Sequence, residues 1–231
     1  METSLHKKLK TIYAGEDAAT EVRLGRYFID AVVDDRLIEV QCSGLSAIRD
    51  KIQNLTKKHP VTVVKPIIYR KKIIKFDEQG GEIVSKRYSP KRGKLVDIFE
   101  ELVYFTRAFP HKNLTLEVPL IEIEEHRFPG HGRKRRWRKN DHQVEDQHLV
   151  EILETKTFKT AKDLMKLIPG KLPRQFDTSH IAAAADQPRD VAQKMAYTLR
   201  NMGAIHEVGK NGNARLYQRG SGLRKKTKKA A

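Results

Sequence analysis

A single cysteine, Cys42, excludes an intramolecular disulfide and any cysteine-rich zinc site. No apolar run approaches the ~20 residues needed to span a bilayer. The amino-terminal Met1-Glu2-Thr3-Ser4 lacks the apolar centre of a secretion signal. These absences predict a soluble protein of a reducing cytoplasm with no membrane partner, associated with the nucleoid if bacterial. Acids are also scarce, 29 Asp and Glu against 46 Lys and Arg, for a net charge of +17. That excess concentrates polyanions around the chain and speeds encounter with them. Nucleic acid is the commonest such partner. Hydrophobic residues, at 39% of 231 positions, still suffice for packed cores, while 32% charged residues leave room for charged arms.

The chain divides where its composition shifts. Residues 126–139 read HRFPGHGRKRRWRK, with seven Lys and Arg and no acid. Pro129, Gly130 and Gly132 break regular structure and the cations repel one another, so 126–142 reads as a basic linker. Trp137, between Arg136 and Arg138, is placed either to stack on a base or to fold against a domain. The tail from Arg219 holds six Lys and Arg with little to bury, so 219–231 reads as disordered. A first domain of 1–125 and a second of 143–218 remain. The first reads as a helix over 4–23, strands over 26–33 and 37–42, a helix over 45–58, a strand over 61–68, a hairpin over 72–88, a helix over 95–109 and a strand over 114–124. That is an α/β mixed sheet flanked by helices.

Chemistry concentrates between Gly25 and Ser43. Strand alternation sends Glu39 and Gln41 to one face and Ile38 and Val40 to the other. Asp30 lies on the neighbouring strand, and Glu21, near the end of the first helix, adds a carboxylate. This is hard-cation chemistry: Mg²⁺ (or Mn²⁺) prefers oxygen ligands, here Asp30, Glu39 and the Val40 carbonyl. Such a cation can activate a water and offset charge on a phosphodiester transition state. An acid buried on a strand of so basic a protein needs a cation beside it. Asp34 and Asp35 read as turn formers; His6, His59, His111, His126 and His131 lack ligand-like spacing and read for the most part as solvated; Cys42 reads as core.

The order of Glu21, Asp30 and Glu39-Val40-Gln41 resembles the PD-(D/E)XK nuclease superfamily. The Glu-x-Gln-x-Ser form, followed by a helix with Arg49, is most similar to competence-associated CoiA-like nucleases and to archaeal Holliday-junction resolvases. The resemblance covers about residues 1–70. It implies a metal-dependent endonuclease of repair, recombination or defence, with Glu21, Asp30, Glu39 and Gln41 catalytic and Arg49 on the DNA. Gln41 departs from the family's lysine: it can orient a water but supplies no positive charge. Two sites in a homodimer would serve two strands.

The second domain reads as helices over 147–155, 159–167, 178–186 and 189–202, with N-caps at Thr160 and Thr178 and a hairpin around Asn211-Gly212. It resembles a winged helix-turn-helix. The resemblance implies an α+β domain whose polar helix face, with Arg189, Gln193, Lys194 and Tyr197, enters the major groove. Lys210 and Arg215 of the wing would touch phosphate. Three functions stay open: a DNA endonuclease acting on duplex, branched or single-stranded DNA, a catalytically inactive DNA-binding or regulatory protein, and an RNA-processing factor.

Overall fold

The computed structural model describes residues 2–15, 18–130 and 142–220. Expectations for His131, Trp137, the greater part of the basic run and the tail beyond Gly220 lie outside the described residues. The chain separates into two compact units that interleave in sequence. The first takes Met1–Cys42, Thr62–Leu95 and Glu117–Lys156; the second takes Ser43–Val61, Val96–Leu116 and Thr157–Ala231.

In the first unit the Thr3 hydroxyl accepts from the His6 amide and opens α1 (Ser4–Ala14). Asp146 accepts from the Ser4 amide at 2.9 Å and also from its hydroxyl, which ties down the same end. Leu5, Leu9 and Ala14 point into the core. The helix expected over 4–23 stops at Gly15, whose φ of 82° is left-handed and whose N–H donates to the Thr11 carbonyl. Its second half is instead β1 (Ala19–Leu24), where β-branched Thr20 and Val22 pair with the next strand.

β2 (Tyr27–Val33) and β3 (Arg36–Val40) continue the antiparallel run, joined at Asp34 and Asp35. Both aspartates have positive φ, 46° and 62°, as a two-residue hairpin turn requires. Further along the chain come β4 (Val61–Val64), β5 (Ile67–Phe76), β6 (Ile83–Tyr88), β7 (Leu114–Pro129) and β8 (His142–Phe158). Among the described residues these form one eight-stranded sheet in the order β1-β2-β3-β4-β7-β5-β6, with β8 also on β7. β5 runs parallel to β7 and antiparallel to β6, so the sheet is mixed. Leu5, Leu9, Ala31, Ile38, Val40, Val64, Ile121 and Ile123 make a core under α1.

β8 replaces the helix expected over 147–155. Leu149 and Ile152 are three apart, which mimics helical spacing, yet both pack on this core from a strand paired with β7. Pairing with a neighbour overrides a short periodic signal. Residues 126–129 likewise belong to β7 and His142 to β8, so the basic segment joins two paired strands and does not separate two consecutive domains.

In the second unit, α2 (Arg49–Leu55) and α3 (Ile98–Leu102) occur with α4 (Ala161–Met165), α5 (Thr178–Ala185), α6 (Arg189–Asn201) and the paired β9 (Ile205–Asn211) and β10 (Ala214–Arg219). α3, expected in the first domain, packs on α6. Thr160 and Asp163 form a capping box for α4. Asp177, not the expected Thr178, caps α5. Phe176 exchanges backbone hydrogen bonds with Tyr217, adding a bridge to the β9–β10 pair. The chain is thus a mixed α/β protein with a large mixed sheet and helices. Among the described residues no helix is long and apolar enough to cross a membrane.

Leu9 is fully buried and Ile12, on the same helix, is 46% exposed. Leu9→Ala should lower the unfolding free energy by about 2–5 kcal/mol through lost burial and a cavity. Ile12→Ala should stay within about 0.5 kcal/mol. Urea denaturation of the two variants measures the difference.

Candidate functional site

Of the carboxylates sought in sequence, Asp30 meets a histidine, His6, and Glu21 joins the same cluster through Lys10. Asp30 accepts from the Val40 amide at 2.8 Å, which fastens β2 to the end of β3. His6, on α1, donates through Nε2 to the Val40 carbonyl at 2.8 Å and lies 3.5 Å from the same Asp30 oxygen. Its Nδ1 donates to Glu2 at 2.6 Å. Both ring nitrogens therefore face acceptors, an arrangement that only the doubly protonated imidazolium satisfies. Lys10, one turn further along α1, reaches Glu2 at 2.8 Å and Glu21 at 3.3 Å.

The charges support one another. Asp30 contributes most to raising His6 to about 9, against the cost of burial and with help from Glu2 and the Val40 carbonyl. At 3.5 Å Asp30 acts more as a neighbouring negative charge than as a well-formed acceptor; the shorter bond goes to Val40. Burial alone would push the Asp30 carboxyl up, but His6 and the Val40 amide outweigh it and hold the group below its ordinary value. The Lys10 hydrogen bond holds Glu2 low in the same way.

This geometry bears on the expected cation. The position between the Asp30 carboxylate and the Val40 carbonyl is filled by the imidazolium edge of His6. Among the described residues no three His, Cys, Asp or Glu side chains group to hold a metal ion. As they stand, these residues do not fit a resident Mg²⁺ (or Mn²⁺), and no reaction step is routed through one. Glu21 sits on β1 with φ of 54°, between residues paired with Ala31 and Ile29, and meets the cluster through Lys10. Glu39 is buried on β3, and the Gln41 amide donates to the Val64 carbonyl, joining β3 to β4. Arg49 lies in the second unit, paired with Asp50 at 3.0 Å. Burial pushes the Cys42 thiol up to about 11, which disfavours the thiolate form.

Sequence reading passed over His6, Glu2, Lys10 and Lys65. Glu2, His6 and Lys10 recur every fourth residue; His6 and Lys10 share one face of α1, and Glu2 stands just before its Thr3 cap. Lys65, just past β4, is buried and donates to the Cys42 carbonyl at 3.3 Å. It brings a cation to the carbonyl of the residue that follows Gln41.

A second arrangement lies in the second unit. α6 buries Ala192, Met195, Ala196, Thr198 and Leu199 and turns Arg189, Gln193 and Tyr197 outward. With Arg200 of α6 and Asn213 and Arg215 of the hairpin, these residues line an open concavity of about 270 Å³. Glu207 lies 3.4 Å from Arg200 and 3.5 Å from Arg215, so two guanidinium groups share one carboxylate. Lys210 is exposed and pairs in register with Arg215. Lys194, expected on the same face, instead reaches Glu100 of α3 at 3.2 Å. One helical residue after Gln193 is rotated by about 100°, which carries it round to the α3 side.

Residues 3–159 match the family described as "Domain of unknown function (DUF8091)", and the chain belongs to that family. It is also similar to an uncharacterised protein of Treponema pallidum (strain Nichols), 29% identical over 219 residues, covering 94% of this chain and 85% of that protein. No solved structure matches it.

The His6 cluster makes stability depend on pH. A group raised from 6.5 to about 9 stabilises fully below 6.5, and the contribution is lost as pH rises through 9. Solvent screening of this part-exposed pair brings the contribution down to on the order of 2–3 kcal/mol, counted once for the His6–Asp30 pair. Urea midpoints should fall between pH 6.5 and 9 in the wild type, and His6→Gln should remove most of that slope. An equal slope in both would locate the proton elsewhere.

Proposed function

We propose that this member of the DUF8091 family is a nucleic-acid-binding protein that engages duplex DNA through the outward face of α6 and the β9–β10 hairpin. The observation that carries the reading is the concavity in which Arg189, Gln193 and Tyr197 of the helix meet Asn213 and Arg215 of the hairpin. Three short helices followed by a two-stranded pair, with Phe176 bridging to Tyr217, follow the order of elements of a winged helix-turn-helix. In that arrangement the helix presents side chains to base edges and the hairpin presents cations to phosphate. Gln193 supplies an amide able to donate and accept at an adenine edge. Arg189, Lys210 and Arg215 supply phosphate contacts. The net charge of +17 adds a long-range attraction that salt screens.

Nuclease chemistry is the second reading. It is favoured by one observation, the 2.8 Å bond that holds Asp30 against the end of β3, which carries Glu39 and leads into Gln41. It further requires His6 to leave the carbonyl and carboxylate it now holds. Binding without cleavage agrees better with the cluster as it stands, in which protein cations already accompany the acids.

Duplex affinity measured by fluorescence anisotropy tests the first reading. Arg189→Ala combined with Gln193→Ala should weaken binding by about tenfold or more, while Lys194→Ala should stay within about twofold because its partner is Glu100. Affinity should also fall steeply with salt. Equal affinity in the double variant and wild type would remove α6 from the interface. Single-turnover assays with Mg²⁺ or Mn²⁺ on duplex, branched, single-stranded and RNA substrates decide the second reading. Cleavage abolished by Asp30→Asn would establish it; no cleavage would leave binding alone.

A further inference from the structure

We propose that the β5–β6 hairpin of the first unit is a stacking platform for unpaired bases of single-stranded nucleic acid. The proposal deepens the nucleic-acid reading above and rests on it. β6 ends the sheet, and all of its residues are exposed. Strand alternation sends Val84, Lys86 and Tyr88 to one face. Tyr88 stands opposite Lys72 of β5, and the residue is 51% exposed. The guanidinium of Arg70 lies 4.9 Å from the ring centroid. Arg70 is in turn held by Glu122 of β7 at 2.6 Å. The chain Glu122–Arg70–Tyr88 thus fixes one side of an aromatic ring against a cation before any ligand arrives. The residue stays about half exposed, with Lys86 two positions away on the same face of β6.

Those features fit a polyanion whose bases are free to stack. An aromatic ring accepts any base on its π-face, and adjacent cations follow the phosphates. Ordering Tyr88 in advance lowers the entropy lost when a base settles on it. Edge-strand lysines are also a common defence against sheet-to-sheet association. That defence alone accounts for Lys86 and Arg87, but it gives no reason for an exposed tyrosine braced by a paired arginine.

The full chain, its Tyr88→Ala and Tyr88→Phe variants, and the Arg189→Ala/Gln193→Ala variant are titrated with a labelled oligothymidylate and a labelled duplex. Thermal melting checks that each variant folds. Tyr88→Ala should lose about five- to hundredfold in single-strand affinity, and its duplex affinity should stay within about twofold. Tyr88→Phe keeps the stacking surface and should match wild type on both probes. The α6 variant should show the opposite pattern, losing duplex and keeping single strand. Unchanged single-strand binding by Tyr88→Ala overturns the platform and leaves the α6 reading standing. Equal loss of both probes also overturns it, because the hairpin would then be a general phosphate contact. Loss of single strand in Tyr88→Ala, with duplex affinity kept by the α6 variant, upholds the platform and removes the α6 reading. A wild type that binds neither probe removes both.

Discussion

A chain carrying 46 cationic and 29 acidic side chains must fold against its own repulsion, and the placement of its acids follows from that constraint. In the first unit, Glu122, Glu125 and Glu124 of β7 each meet a cation of the neighbouring β5 at 2.6 Å: Arg70, Lys71 and Lys72 respectively. Glu125 is almost fully buried and also accepts from Gln147 and Arg127. Burial raises its carboxyl, but Lys71, Gln147 and Arg127 together hold it below its ordinary value. Glu2 and Asp30 serve His6 and Lys10 in the same manner. In the second unit, Glu207 lies between Arg200 and Arg215. Breaking such a pair where it is buried is costly, because the remaining charge has no water to replace its partner.

That constraint also bears on Asp30. A half-buried carboxylate in a basic protein calls for a cation, and the linear pattern is compatible with a metal or a side chain. The structure supplies His6 from a helix whose contact with β2 and β3 depends on three-dimensional packing. Glu2, His6 and Lys10 were visible at fourfold spacing, but nothing in the linear pattern sets the distance from α1 to the Val40 carbonyl. The Asp34-Asp35 turn and the hairpin around Asn211-Gly212, whose loop is Gly212-Asn213, were legible because each is fixed by local backbone chemistry. The ends of α1 and the identity of β8 were not. Gly15 was overlooked as a helix terminator, and β8 takes its conformation from pairing with β7. Lys194 was misplaced for a related reason: the side of α6 it occupies is defined by α3, a helix about ninety residues earlier in sequence whose position no periodicity reports.

With most interior acids engaged, the cations on α6, on the β9–β10 hairpin and along β6 remain at the surface, where a polyanion can complete their neutralisation. Arg189 and Lys210 are exposed in the second unit, as are Lys86 and Arg87 in the first. On the proposed reading, folding and binding draw on the same excess of charge, and raising the ionic strength should weaken binding far more than it weakens the buried pairs.

Hydrogen exchange of the full chain with and without a short DNA duplex tests this account most directly. Slowed exchange over Arg189–Asn201 and the β9–β10 hairpin, with little change in the buried strands β3 and β4, is the predicted outcome. A complex that forms while α6 and the hairpin exchange as in the free protein would contradict it, as would failure to form any complex at low ionic strength.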